Sequence, residues 1–482
     1  MSSENDQTLG DIRNPRLTSD PESPLRINMV SLGCPKALVD SEVILGHMGM
    51  AGHMITGSAE DADVVVINTC GFIDNAKEES IQAILQACEW KQQGIAPQDR
   101  KVIVTGCLAQ RYAENLRQEI PEVDAIIGLG EQESLSDVLN GLATSRAERN
   151  EPLVRIRPQD EPCNKDVGRF RLTPQHFAYV KISEGCDNPC TFCSIPSIRG
   201  GFRSKPIPAI VDEVKELVDT GAKEIVLISQ DTTSYGIDLY GRYELAQLLN
   251  SIAKVDGVEW IRILYAYPAF LTDEMIDAIA SIDKVTKYLD MPLQHISDKM
   301  LRHMGRRLTE VKTRRLLDKL REQIPGIYLR TTFIVGFPGE DDTEFGILRD
   351  FVRDFAFERL GVFTYSQEEG TPSATFEDQV SEEIMQTRLE ELMLVQQENA
   401  FAQNRRRLGE TTTVLIDEID PKGANDENSV VWATGRSFGE APEIDPVIAV
   451  RALRQAAALQ VGRLVPVKIV DTRDYDLLAQ CV

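Results

Sequence analysis

Cys186, Cys190 and Cys193 stand as C-x3-C-x2-C directly after the apolar, β-rich run 177–182, FAYVKI. A loop so loaded constrains the fold around it, because something must occupy three neighbouring thiols. Three cysteines cannot all pair as disulfides. A structural zinc site takes four protein ligands, often as two C-x2-C knuckles, and no second knuckle is present. Three thiolates do suit a four-iron, four-sulfur cluster with one iron open to a small chelating cofactor, since thiolates are the usual cluster ligands. The bland alternative is three loop cysteines that hold no metal.

A second trio is spread over the preceding residues. From Arg26 to about Gly141 a short apolar strand, a cysteine at its carboxyl end and a helical segment recur three times. The strands INMVSLGC, DVVVINTC and KVIVTGC end at Cys34, Cys70 and Cys107. Segments with apolar residues at helical spacing follow, and a fourth strand, AIIGLG, begins at Ala125. Strands alternating with helices predict a parallel sheet, whose strand carboxyl ends open on one crevice. Cys34, Cys70 and Cys107 are thus expected to meet in space and again to suit a cluster with one free iron. The plainer alternative is three small residues at tight strand-to-loop turns.

Residues 142–175 are rich in Arg, Glu and Pro without clear periodicity and read as a linker. Six strand-like runs follow from Phe177, separated by helical stretches. Six βα units fall short of the eight of a closed barrel and predict an open, partial barrel with its chemistry at the strand carboxyl ends. Ser229, Gln230, Asp231, Gln294, His295, Gly336 and Gly339 belong at those ends. His295 is expected to make a polar contact with cofactor or backbone, a proton shuttle being the sharper reading. The turn from Gly336 to Glu340 would let backbone approach a ligand. Residues 380–408 predict one long helix, acidic at its start and basic at its end, stopped by Gly409. Short strands from Gly409 to Val482 predict a small β-barrel. The fold class is therefore α/β, with an N-terminal parallel-sheet domain (26–141), a partial (βα)6 barrel (176–408) and a small C-terminal β-barrel (409–482). Residues 1–25 are polar and are expected to form a disordered tail.

The nine cysteines fit a reducing cytoplasm with metal clusters better than a secreted disulfide scaffold. Cys88 reads as helix core filler; Cys163 and Cys481 are isolated. No apolar run approaches the roughly 20 residues that span a bilayer, and the N-terminus lacks an apolar signal region. A formal net charge of −24 argues against a phosphate-rich partner and favours a basic one. The final barrel, with 12 acidic against 7 basic residues, has the wrong sign for the nucleic-acid grooves common in such folds.

The C-x3-C-x2-C loop, with Phe192 before its last cysteine, resembles the radical S-adenosylmethionine (SAM) enzymes. With SLGCPKALVDSE (31–42), NTCGFIDNAKEES (68–80), GCLAQRY (106–112) and SEGCDNPCTFCSIPSIRGGFRSKP (183–206), the chain from Arg26 onward is similar to the methylthiotransferases of that superfamily. Within them it is similar to the branch acting on small-subunit ribosomal protein twelve. The resemblance implies a radical-SAM core and a C-terminal TRAM barrel. It implies two 4Fe-4S clusters, an auxiliary one on Cys34, Cys70 and Cys107 and a SAM-cleaving one on Cys186, Cys190 and Cys193. Phe192 and Gly336 are implied as cofactor-binding, and Gly336–Glu340 is similar to an adenine-contacting motif, with Glu340 one residue late. No catalytic side chain is implied beyond the cluster ligands. The implied reaction adds a methylthio group to the β-carbon of one aspartate, with SAM as methyl donor and radical source, and the two open irons are expected to face one cavity. Expected partners are the basic ribosomal protein, an electron donor such as flavodoxin or ferredoxin, and a sulfur source, with no membrane and no nucleic acid as primary substrate. Arg199, Arg203 and Lys205 read as a small basic patch suited to SAM's carboxylate. The alternatives are a tRNA adenosine methylthiotransferase and a non-catalytic, metal-binding ribosome-associated scaffold.

Overall fold

The computed structural model describes residues 24–92, 100–144, 151–163, 166, 168–420, 430–453 and 459–482. The tail expected over residues 1–25 lies outside them except for Pro24 and Leu25. The chain divides into two compact units: the residues up to Leu172 together with Ser194–Gly201, and Thr173–Cys193 together with Phe202–Val482.

The first unit is built on a six-stranded sheet of β1 (Arg26–Ser31), β2 (Met54–Ile55), β3 (Val64–Thr69), β4 (Lys101–Gly106), β5 (Ala125–Ile127) and β6 (Leu153–Arg155). Its order is β2-β1-β3-β4-β5-β6 and every pairing is parallel. All six residues of β3, VVVINT, are buried, the continuous apolar run of a strand covered on both faces. The two faces carry separate cores, around Val65, Ile67 and Leu108 on one and Val64, Val66 and Leu45 on the other. Cys88 is packed in the first of these cores, as expected.

Two of these strands, β2 and β6, lie outside the three repeats and the fourth strand at Ala125. β2 is only two residues long, too short to show alternation. β6 falls inside the expected linker: Leu153–Arg155 pairs with β5, and Arg169 and the Leu172 amide reach the carboxylate of Glu42. A run of three residues shows no period, so only its partner strand makes β6 visible.

The second unit opens with β7 (Phe177–Lys181) and the short antiparallel pair β8 (Ser183–Glu184) and β9 (Arg203–Ser204). Then come β10 (Glu224–Ile228), β11 (Trp260–Ile263), β12 (Val285–Asp290), β13 (Tyr328–Val335) and β14 (Arg359–Thr364). The sheet order β14-β13-β12-β11-β10-β7 is sequential, all parallel and unclosed, the open partial barrel expected. Helices cover it through one core that includes Ile210, Leu249, Ile279, Leu317 and Leu348. The long helix runs Glu382–Arg406, with Glu382 and Glu383 in its first turn and Arg405 and Arg406 in its last.

Five strands complete the chain: β15 (Thr411–Ile419), β16 (Val430–Arg436), β17 (Ile448–Leu453), β18 (Leu464–Arg473) and β19 (Asp476–Cys481). They close as a barrel in the order β15-β16-β17-β19-β18. Its loop from Ser437 to Asp445 is met by side chains of the parallel sheet. Tyr179 donates to Glu443, Arg262 to the Phe438 carbonyl, Tyr288 to Asp445 and Arg359 to Glu440. Behind the loop, Glu224 lies between Arg262 at 2.6 Å and Arg436 at 2.5 Å, while Arg436 forks onto Asp417. Buried charges persist only when so paired.

Candidate metal centres on two cysteine trios

Each cysteine of the first unit is placed by the turn that ends a strand. Cys34 follows β1 and precedes Pro35, which opens the helix Pro35–Met50; proline suits a first helical position because its missing N–H would be unpaired there. Cys107 begins the helix Cys107–Glu119 directly after β4. Cys70 follows β3, and Ser80 Oγ brackets its peptide, accepting from its N–H at 3.0 Å and donating to its carbonyl at 3.1 Å. Gly33 has φ +94°, and a Cβ there would stand 2.9 Å from Cys70 Cβ and 3.2 Å from its sulfur. Only glycine brings the turn before Cys34 so near Cys70.

The three thiols feel one another. Burial pushes the Cys70 thiol up to about 11, and Cys107 and Cys34 push it the same way. Burial also raises Cys107, opposed by the Arg199 guanidinium that hydrogen-bonds it. A thiolate needs a positive charge in such surroundings, which iron would supply. The donor set therefore fits a cluster. Among the described residues, no group of three or more His, Cys, Asp or Glu closes around a single metal ion. A four-iron cage places each thiolate on a different iron, so its ligands stand wider than those of one ion.

The second trio lies on the loop after β7 and β8. Asn188 donates to Cys186 sulfur from its backbone N–H at 3.5 Å and from Nδ2 at 3.4 Å. The same Nδ2 donates to Asp231 at 2.8 Å. Asp231 is fixed in turn by Thr233 and Ser234. The carboxylate after β10 thus orients a donor onto a cysteine, a link the sequence did not reveal. Burial pushes the Cys186 thiol up to about 11, with the Asn188 bonds opposing. Buried thiols with N–H groups turned onto their sulfur fit a cluster here too.

The other expected residues sort differently. Ser229 shares a hydrogen bond with Ser183, and Gln230 donates to Glu184 at 2.9 Å. Gln294, at φ +70°, holds a single bridge to Phe333. His295 Nδ1 accepts from the Ser297 amide at 3.0 Å, and its Nε2 lies 3.4 Å from Glu340, both side chains fully buried. This is the polar backbone contact rather than a shuttle open to substrate. Glu340 is a hub, accepting from the Gly336 amide at 3.0 Å and pairing with Arg388 at 2.9 Å.

Gly336 packs closely: a Cβ there would meet Met385 Cγ at 2.3 Å, and its amide donates to Glu340 at 3.0 Å. Gly339 likewise abuts the His303 ring. The basic patch does not exist as a surface: Arg199 is buried against Asp40 at 2.9 Å and Lys205 against Glu213 at 2.9 Å. Both cations already have anions, which sequence spacing cannot show. Phe192 is half-buried and meets Phe337 edge-on at 6.3 Å, beside Met300, Met304 and Met385.

Comparison with known proteins now bears on this geometry. Residues 26–128 match a family described as uncharacterized protein family UPF0004, residues 180–352 the radical SAM superfamily, and residues 408–482 the TRAM domain. The "Ribosomal protein uS12 methylthiotransferase RimO" of Desulforamulus reducens is 46% identical over 456 residues, covering 94% of this chain and 99% of that one. The protein of the same name from Geobacter sulfurreducens is 44% identical, covering 95% and 98%. Among solved structures, the radical SAM methyltransferase TsrM of Kitasatospora setae superposes with a TM-score of 0.55 at 15% identity, covering 73% of this chain and 77% of that one. That likeness speaks for the fold alone. Sequence identity across nearly the whole length goes further, and the chain belongs to the uS12 methylthiotransferase family of radical SAM enzymes.

Proposed function

We propose that this chain adds a methylthio group to the β-carbon of an aspartate in ribosomal protein uS12 by radical-SAM chemistry. The observation that carries the reading is the gathering of Cys34, Cys70 and Cys107, remote in sequence, at the carboxyl ends of three adjacent parallel strands. A second thiolate trio follows the first strand of a partial barrel. The name its relatives carry favours a protein substrate over tRNA, and a catalyst over a scaffold.

Cys34, Cys70 and Cys107 would hold the auxiliary cluster, and Cys186, Cys190 and Cys193 the SAM-cleaving one. When bound, these groups would supply, together with SAM, the electron for radical formation and the sulfur for insertion, chemistry no side chain performs. The protein's own residues keep the thiols in place. Ser80 fixes the Cys70 peptide, Arg199 and Asn188 donate to Cys107 and Cys186, and Asp231 orients Asn188. Phe192, next to Cys193, is the aromatic residue we place beside SAM. No helix among the described residues is long and apolar enough to cross a membrane. None of the described cysteines is joined in a disulfide, and we place the chain in the reducing cytoplasm. We assign the electron to a flavodoxin or ferredoxin and the sulfur to an external sulfide source. The net charge of −24 complements a basic ribosomal protein.

The test is anaerobic incubation of the iron-loaded protein with uS12, tRNA, SAM, sulfide and dithionite, read by mass spectrometry. A methylthio-aspartate in uS12 is the expected product. Release of 5′-deoxyadenosine with uS12 unmodified and a tRNA modified in its place would overturn the assignment.

A further inference from the structure

Arg306 is a half-buried arginine that forms no ion pair among the described residues. Its guanidinium is nevertheless fixed on three sides. Nη2 donates to the Pro292 carbonyl at 2.7 Å, the plane lies over the Tyr267 ring at 4.1 Å from its centroid, and Nη1 donates to Cys190 sulfur at 3.5 Å. Tyr267 is itself wedged by stacking on Phe270 at 5.2 Å.

The main chain around Arg306 is tied to the cysteine loop as well. The Thr191 amide donates to the Met304 carbonyl at 3.1 Å, and the Thr191 hydroxyl to the His303 carbonyl at 2.7 Å. A Cβ on Gly305 would stand 2.2 Å from the Pro189 carbonyl oxygen, so only a bare backbone passes there. The turn after the helix Asp298–His303 clasps the loop from Pro189 to Thr191 and delivers one cation to one cysteine. A charge left half out of water without a counter-ion is costly. The thiolate cage is the anion that this position lacks.

We propose that Arg306 is a positioning residue that sets the reduction potential of the cluster on Cys186, Cys190 and Cys193, an inference that rests on the reading of those cysteines as ligands. Reduction adds one electron, taken from the external donor, and so one negative charge to the cage. An N–H donor and a positive charge on a ligand sulfur stabilise that added charge, because hydrogen bonds to sulfur and net charge are what set such potentials. Arg306 therefore makes the cluster easier to reduce. Asn188 does the same for Cys186 without a charge, whereas Arg306 brings a full positive charge to Cys190.

The test is a redox titration of the anaerobic, iron-loaded full chain with dithionite, following by electron paramagnetic resonance the signal that Cys190→Ala removes. Arg306→Gln is expected to lower the reduced-to-oxidised ratio at fixed potential about tenfold, which is 59 mV more negative for a one-electron couple, with iron content unchanged. Arg306→Lys, which keeps the charge but cannot bridge Pro292 and the sulfur, is expected to fall between. An unshifted midpoint in Arg306→Gln overturns the proposal. If that variant loses the loop's iron, the lysine variant decides, and a wild-type midpoint there overturns it. If Cys190→Ala removes no signal, the assignment of the ligands fails instead.

Discussion

Arg199 and Asp40 form a buried ion pair at 2.9 Å, and the same guanidinium hydrogen-bonds Cys107. One cation thus serves an acidic side chain of the first helix and a thiol at the end of β4. Replacing it takes this guanidinium away from a buried carboxylate. Arg199→Leu is expected to destabilise the first unit by about 3–5 kcal/mol, read as a lower urea midpoint. The exposed pair of Lys215 and Asp212 is the control, where Lys215→Ala should change stability by under about 1 kcal/mol. Equal effects would deny the buried pair its role.

Loss of a ligand from one trio should spare the other, because each is organised by its own strands. Cys190→Ala is expected to abolish 5′-deoxyadenosine formation while iron remains on Cys34, Cys70 and Cys107. Iron analysis and product chromatography check this. Loss of all iron would count against independent sites.

The converse variant separates radical formation from sulfur supply. Cys70→Ala should still cleave SAM, as Asn188 and Arg306 remain on their cysteines, yet transfer no methylthio group to uS12. Wild-type product yield would remove the sulfur-supplying role from the first trio.

Burial alone would push Glu224 up, but the charges and hydrogen bonds of Arg436 and Arg262 carry it below its ordinary value of 4.5. Glu440 is depressed in the same way by Arg407 and Arg359. A carboxylate depressed by folding contributes stability that is present above its unfolded value and lost as pH falls through its folded value. Asp445, raised by burial, works in the opposite sense and softens the loss. The second unit should therefore lose stability below about pH 4.5, and Glu224→Gln should lose less over that range. Urea midpoints at successive pH values test this; parallel curves for the two proteins would refute it.

Association with uS12 should weaken as salt rises from about 0.05 to about 0.5 M, because a net charge of −24 acts on a basic partner through a screened field. Binding measured across that range, flat with salt, would assign recognition to apolar contacts.

Much of this was legible in the residues. The period of strand and helix, the stop at Gly409 and the six cysteines are local patterns, and local patterns survive in a one-dimensional string. The open order β14-β13-β12-β11-β10-β7 follows from the sequential units and right-handed crossovers. β6 escaped notice because a three-residue strand has no period of its own. The packing of Met385 beside Gly336 was not legible, because the two stand 49 positions apart.

By itself, then, the sequence determined that three thiols lie at strand ends and three on one loop, since cysteine spacing and hydrophobic period are set by neighbours in the chain. Only the tertiary structure decided which cation answers which anion. Arg199 went to Asp40 and Cys107, Lys205 to Glu213 and Arg306 to Cys190. A charge pairs with whatever the fold brings within a few ångströms, and for Arg199 and Arg306 the partners come from distant parts of the chain.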